Sequence, residues 1–171
     1  MEQAIFGLVG VLLGSMITAF VTIYAEHQKS KREAAQSDRQ YERERQSARD
    51  TFQRDSILTL QNSVIDLIKS AHAELDRIIA TAEETQKWPA RQWETPTAVG
   101  WSAALLLLKS SRARVFDEEI RSLATELEKA AGDSIWAKSP DEAEQHSKRL
   151  EPLLDRFNDA VARTLPSFYQ G

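Results

Sequence analysis

The spacing of apolar positions changes character twice along the chain. From residue 4 to 24 (AIFGLVGVLLGSMITAFVTIY) nearly every position is apolar or small, and no side chain is ionisable except the terminal Tyr24. From 25 to 55 apolar residues almost vanish (AEHQKSKREAAQSDRQYERERQ and onward). From 56 they return at helical spacing, with Ile57, Leu60, Val64, Leu67, Ile68, Ala71, Leu75, Ile78, Ile79 and Ala82 on one face and Leu58 and Ile65 widening it. The pattern predicts three segments: an apolar helix at 1–24, a charged helical stalk at 25–55 and an antiparallel helical bundle at 56–171. No run alternates with period two, so the expected class is all-α.

About 20 apolar residues make a helix that crosses about 30 Å of hydrocarbon, so the first segment reads as a transmembrane anchor. Two readings compete. Against a signal peptide, Met1-Glu2-Gln3 supplies no basic n-region, and Ile23-Tyr24-Ala25 is not an A-x-A cleavage pattern. Against a buried soluble helix, nothing else in the chain is apolar enough to wrap one on all sides. Lys29, Lys31, Arg32, Arg39 and Arg43 follow the span, which by the positive-inside rule puts the N-terminus outside and the rest in the cytoplasm of a cell with an inner (plasma) membrane. Within the span Gly10, Gly14, Thr18 and Thr22 form a stripe at intervals of four, with Gly7 opening an adjacent one. Small side chains let helix backbones approach closely in lipid, so these five residues are the candidates for self-association.

No Gly or Pro occurs between Ser15 and Trp88, which predicts one unbroken helix to about Glu84, continuing roughly 90 Å beyond the bilayer at 1.5 Å per residue. Its stalk carries charges of both signs, with pairs such as Asp50–Arg54, Glu42–Arg45 and Glu26–Lys29 at helical neighbour spacing. Ala34, Tyr41, Ala48 and Phe52 sketch a thin coiled-coil seam; a single exposed helix is the alternative.

In the bundle, Pro89 and Pro96 interrupt the pattern, and Thr95-Pro96 marks a helix start. The core of the second helix, AVGWSAALLLL, is apolar on every side but half the length of a span, which predicts the central helix of the bundle; a re-entrant segment is the alternative. A third helix is expected from Asp117 to Ala131 with Gly132 as its stop. Ser139-Pro140-Asp141-Glu142 combines an N-cap, a first-position Pro and a capping-box Glu. Pro152 inside the following run should kink or split that helix near Leu150.

The 171 residues carry a formal charge of −4 and no Cys, against a clustered basic face for nucleic acid and against a thiol nucleophile. Lys109, Arg112 and Arg114 beside Trp101 make one short basic patch. His72 with Asp76, and Glu142 with His146, sit one helical turn apart, too few donors for a metal site. No phosphate-binding loop, dinucleotide fingerprint or nucleophile elbow is present, so no catalytic residue, cofactor or metal is expected. Trp88 and Trp93, with Arg91 between them, flank a Pro-containing loop and resemble a protein-binding hot spot; folding over the helix ends as a lid is the alternative. Trp136, Phe168 and Tyr169 carry the same two readings.

The Gly-containing span GLVGVLLGSMIT, the stalk KREAAQSDRQYERERQ and an end such as LEPLLDRFNDAVARTL resemble, in layout, uncharacterised bacterial single-pass membrane proteins with a charged stalk and a small cytoplasmic helical domain. The expectation is a membrane-anchored scaffold or adaptor, homo-oligomeric in the lipid bilayer and presenting its bundle to a protein partner, with no nucleic acid. A membrane-perturbing, pore-forming effector and an accessory subunit of a larger membrane complex are the alternatives.

Overall fold

The structure is a computed structural model. It describes residues 2–89 and 94–169, with side chains described at 29, 31 and from 36 onward within those limits. The described residues form helices joined by short loops, without a strand: α1 Glu2–Thr85, α2 Pro96–Arg112, α3 Glu118–Ile135, α4 Pro140–Ser147, α5 Leu150–Thr164 and a short 3-10 helix Leu165–Tyr169. Among the described residues no helix is long and apolar enough to cross a membrane. The expected span at 4–24 has its backbone within α1, but its side chains, those of Gly7, Gly10, Gly14, Thr18 and Thr22 included, lie outside the described residues.

The chain divides into two compact units, Met1–Ala48 and Arg49–Gly171. In the first, the described side chains are those of a solvated helix. Gln40 Nε2 donates to Glu44 Oε1 at 3.0 Å, and Arg45 lies over the ring of Tyr41, which is 62% exposed. Of the seam positions, Tyr41 and Ala48 are exposed, and the side chain of Ala34 lies outside the described residues.

The second unit starts ahead of Ser56, because Gln53 already belongs to its core. This buried amide donates through Nε2 to the Arg114 carbonyl at 3.1 Å and accepts from the Phe116 N–H at 2.8 Å, pinning the loop between α2 and α3. Beyond it, Ile57, Leu60, Val64, Leu67, Ala71, Leu75 and Ile78 are buried at the expected period. Leu58 and Ile65 do not widen that face; they are 39% and 37% exposed. Near its other end α1 meets the start of α2, since Thr97 donates to Glu74, while Ser63 Oγ lies 3.0 Å from Ser111 Oγ. The two helices therefore run antiparallel.

Helix starts follow the local chemistry. The Thr95 hydroxyl accepts from Ala98 N–H and precedes Pro96; Asp117 caps α3 through Ile120 N–H; Ser139 caps α4 through Glu142 N–H. The Glu142 carboxylate reaches back to Lys138 N–H at 2.7 Å, one residue before the position a standard capping box uses. The break at Pro152 is a split: α4 ends at Ser147 and α5 begins at Leu150, placing the proline in the first turn, where its missing N–H has no helical partner to lose.

Two expectations are corrected. Gly132 does not stop α3, which continues to Ile135 with Ser134 and Ile135 buried; the glycine has no positive φ, and the gain from burying the last turn outweighs its poor helix propensity. Nor is α2 the central helix. Val99, Leu106 and Leu107 are 58%, 70% and 48% exposed, and only the Ala98, Trp101, Ala104, Leu108 and Ser111 face is covered. The central position belongs to α3, which packs against α2, α4 and α5. Its Ala124, Ala130 and Ala131 allow close approach where larger side chains would hold neighbours apart.

Replacing Gln53 by Ala removes both loop bonds and leaves the Phe116 N–H and Arg114 carbonyl without them. Stability should fall by about 1–3 kcal/mol in urea unfolding. A change within about 0.5 kcal/mol, the range of an ordinary surface substitution, would show that the amide is not a structural pin.

Candidate functional site

The end of α1 is closed without a glycine. Gln86 takes a left-handed conformation (φ 53°), and its side-chain amide donates to the Glu83 carbonyl at 2.8 Å, satisfying one of the acceptors that a helix end leaves open. The Thr85 hydroxyl donates to the Thr81 carbonyl at 2.7 Å. The chain then turns so that the partly buried Trp88 packs beside Leu75, Ala137 and Ala143. Its indole Nε1–H donates to the Ala137 carbonyl at 2.8 Å, tying the end of α1 to the loop before α4.

Beneath this turn lies a buried acid. Glu74 is 1% exposed and receives a two-pronged bond from Arg77, Nε to Oε2 at 3.1 Å and Nη2 to Oε1 at 2.7 Å, besides the Thr97 hydroxyl. The hydrogen bond to Glu74, joined by its negative charge, holds the Arg77 guanidinium above its ordinary value despite the opposing effect of burial. A carboxylate at this depth needs such partners, since an uncompensated buried charge is strongly destabilising. Pattern reading passed over Glu74, although it falls in phase with Leu67, Ala71 and Ile78 on the core face. A polar residue in register with a buried stripe is the signal.

Between the last turns of α1 and α4 opens a cleft of about 700 Å³. Leu75, Ile79, Ala82, Trp88 and Ala143 form its apolar wall, with Glu83, Lys87 and Glu144 among its polar members. Glu144 is held below the usual carboxylate value by its hydrogen bond to Lys148 and by that side chain's charge, across 2.6 Å. The pair is exposed, so its contribution to α4 is small and screened by salt. It is present at neutral pH and lost as acid protonates Glu144.

Of the three residues read as a partner contact, Trp88 is the one the structure describes; Arg91 and Trp93 lie outside the described residues. Trp88 takes part in the lid-like bond to Ala137, while Trp136 is 53% exposed. Phe168 packs on the core cluster, and Tyr169 is 66% exposed with the Arg54 guanidinium over its ring. Arg54 also bonds Asp55 at 3.0 Å, and that bond and charge raise its own basicity.

The basic patch dissolves into ion pairs. Arg112 Nη1 lies 2.7 Å from Glu128 Oε2 and Lys109 Nζ lies 3.4 Å from Glu128 Oε1, while Trp101 is 4% exposed. Arg114 remains exposed. His72 is exposed, and His146 Nε2 lies 3.8 Å from Glu142 Oε1 while its Nδ1 is buried without a partner. Among the described residues no group of three or more His, Cys, Asp or Glu is placed to hold a metal ion. No protein-family model, curated protein or solved structure matches the chain.

Two substitutions separate structure from contact at this end. Glu74→Gln should lower stability by about 1.5–3 kcal/mol, the range for hydrogen bonds to charged groups. Trp88→Phe, which keeps the ring but loses the Ala137 bond, should lower it by about 1 kcal/mol. Thermal unfolding measures both, and a Glu74→Gln protein as stable as the parent would remove the buried pair from this account.

Proposed function

We propose that the chain is a membrane-anchored helical scaffold that self-associates and offers its compact unit to a protein partner. One observation carries the reading. Helix α1, Glu2–Thr85, contains at one end the charge-free segment 4–24 and at the other the buried stripe Ile57–Ile78 around which the compact unit is built. The segment read as a span and the stripe that organises the core both fall within the residues of α1. Lys29, Lys31 and Arg32 directly after the span assign the compact unit to the cytoplasmic side. Gly7, Gly10, Gly14, Thr18 and Thr22 pack copies together in the bilayer. The apolar cleft beside Trp88, with Arg91 and Trp93 next along the chain, is the surface for the partner. The layout shared with bacterial single-pass proteins supports the same architecture.

The chain should sediment with membranes and stay there through high salt and alkaline carbonate, whereas a variant lacking residues 1–24 should be released. Cysteine at Gly10 should crosslink between copies in native membranes. Recovery of the intact chain in the carbonate-soluble fraction would end the anchored reading. Depolarisation of cells on overexpression, abolished by a Leu-rich replacement span, would favour the membrane-perturbing alternative. Co-purification at fixed stoichiometry with one membrane complex would make the chain an accessory subunit.

A further inference from the structure

The outward face of α2 differs from the outward faces of its neighbours. On α3 and α5 those faces carry Glu119, Glu126, Asp155, Arg156, Asp159 and Arg163, all exposed. On α2, Pro96, Val99, Gly100, Ala103, Leu106, Leu107, Lys109 and Ser110 are exposed, and Lys109 alone among them is charged. Leu106 is 70% and Val99 58% in solvent, and a side chain built onto Gly100 would meet nothing within 4 Å. The spacing Val99, Ala103, Leu106, Ser110 runs four, three, four, the rhythm that keeps a seam facing a parallel partner helix.

We infer that this face of α2 pairs with the same face of a second copy, in parallel, about a two-fold axis. The inference rests on the anchored, self-associating function proposed above. Charge argues against a lipid surface. Residues 49–171 hold 16 Lys and Arg against 20 Asp and Glu, so the compact unit carries the whole formal −4 and an anionic leaflet repels it. Helices that lie on membranes flank their apolar face with Lys and Arg, whereas Lys109 at the end of this one is engaged with Glu128. A two-fold uncharged seam brings no like charges together.

Direction follows from the antiparallel α1–α2 pair. When two α2 helices run parallel, the α1 segments of both units also run parallel, so residue 49 of each copy leaves at the same end. Two copies in one bilayer require that relation. Area sets the strength: about three turns of one helix face make a strip roughly 18 Å long and 10 Å wide, well short of the about 800 Å² per partner of a stable interface. The contact therefore forms where tethering raises the effective concentration to about millimolar.

Because the chain has no Cys, single cysteines report the contact in the full-length protein in native membranes under mild oxidation. Ala103→Cys should give a disulfide dimer, and Ser122→Cys, exposed on α3, should not. Adding Leu106→Glu to Ala103→Cys should reduce the dimer at least tenfold while helical content by circular dichroism stays unchanged. Gly10→Cys reports the span separately. Dimers through Gly10→Cys without any through Ala103→Cys would overturn the α2 seam and leave anchored self-association standing; loss of both would overturn both. An Ala103→Cys adduct to a chain of different mass overturns the seam in favour of another protein. Shielding of Ala103→Cys from a water-soluble maleimide without a dimer overturns it in favour of lipid.

Discussion

Three polar side chains on the core face of α1 fix how the rest of the compact unit is arranged. Gln53 holds the loop after α2, Ser63 meets Ser111 near the end of α2, and Glu74 takes the Thr97 hydroxyl at its start. Apolar packing is non-directional, and a stripe of Ile, Leu and Val accepts a neighbouring helix in more than one register. Buried donors and acceptors do not, because a one-turn slip would leave each of them without its partner inside the core. The pins therefore act on register more than on net stability, and they settle which face of α2 is covered.

Once α2 is held against one side of α1, α3 takes the middle. Its eight buried residues include three alanines and a serine, and Ile120, Leu123 and Leu127 supply the bulk. Phe157 and Val161 of α5 close the opposite side, and Gln61 reaches Asn158 across it at 3.0 Å. Ion pairs knit the perimeter: Arg112 with Glu128 joins α2 to α3, and Arg163 with Glu119 joins α5 to α3, both at 2.7 Å. The second of these is exposed on both partners, so it decorates the packing more than it drives it.

What was legible in the sequence was local. Thr95-Pro96, Ser139-Pro140 and Pro152 act through bonds to residues a few positions away, so pattern and outcome agree closely. The stripe from Ile57 to Ile78 was legible because periodicity states which residues share a face. Periodicity does not state which face finds a neighbour, and that is why α2, apolar all round, was misplaced at the centre and Leu58 and Ile65 were assigned to the core. Gly132 failed as a stop for a related reason: its propensity is a local term, overridden by the burial of Ser134 and Ile135. The tip was half legible. Trp88 stood out by composition, while Glu74 hid because a single acid on a charged chain looks like solvent-facing polarity until its phase with Leu67, Ala71 and Ile78 is counted.

The polar interior also bears on what kind of work the compact unit does. Gln53, Ser63, Glu74, Ser111 and Ser134 are buried, and each bonds to backbone or to a side chain within the fold. Ser63, Ser111 and Ser134 donate to carbonyls of their own helices, while Gln53 reaches the loop after α2 and Glu74 receives Arg77 and Thr97. Left over at the surface are apolar features: the outer face of α2, the cleft beside Trp88, and Trp136. These are the surfaces that the association proposed above would cover. The buried polar groups serve register, and the exposed apolar ones support the association proposed above.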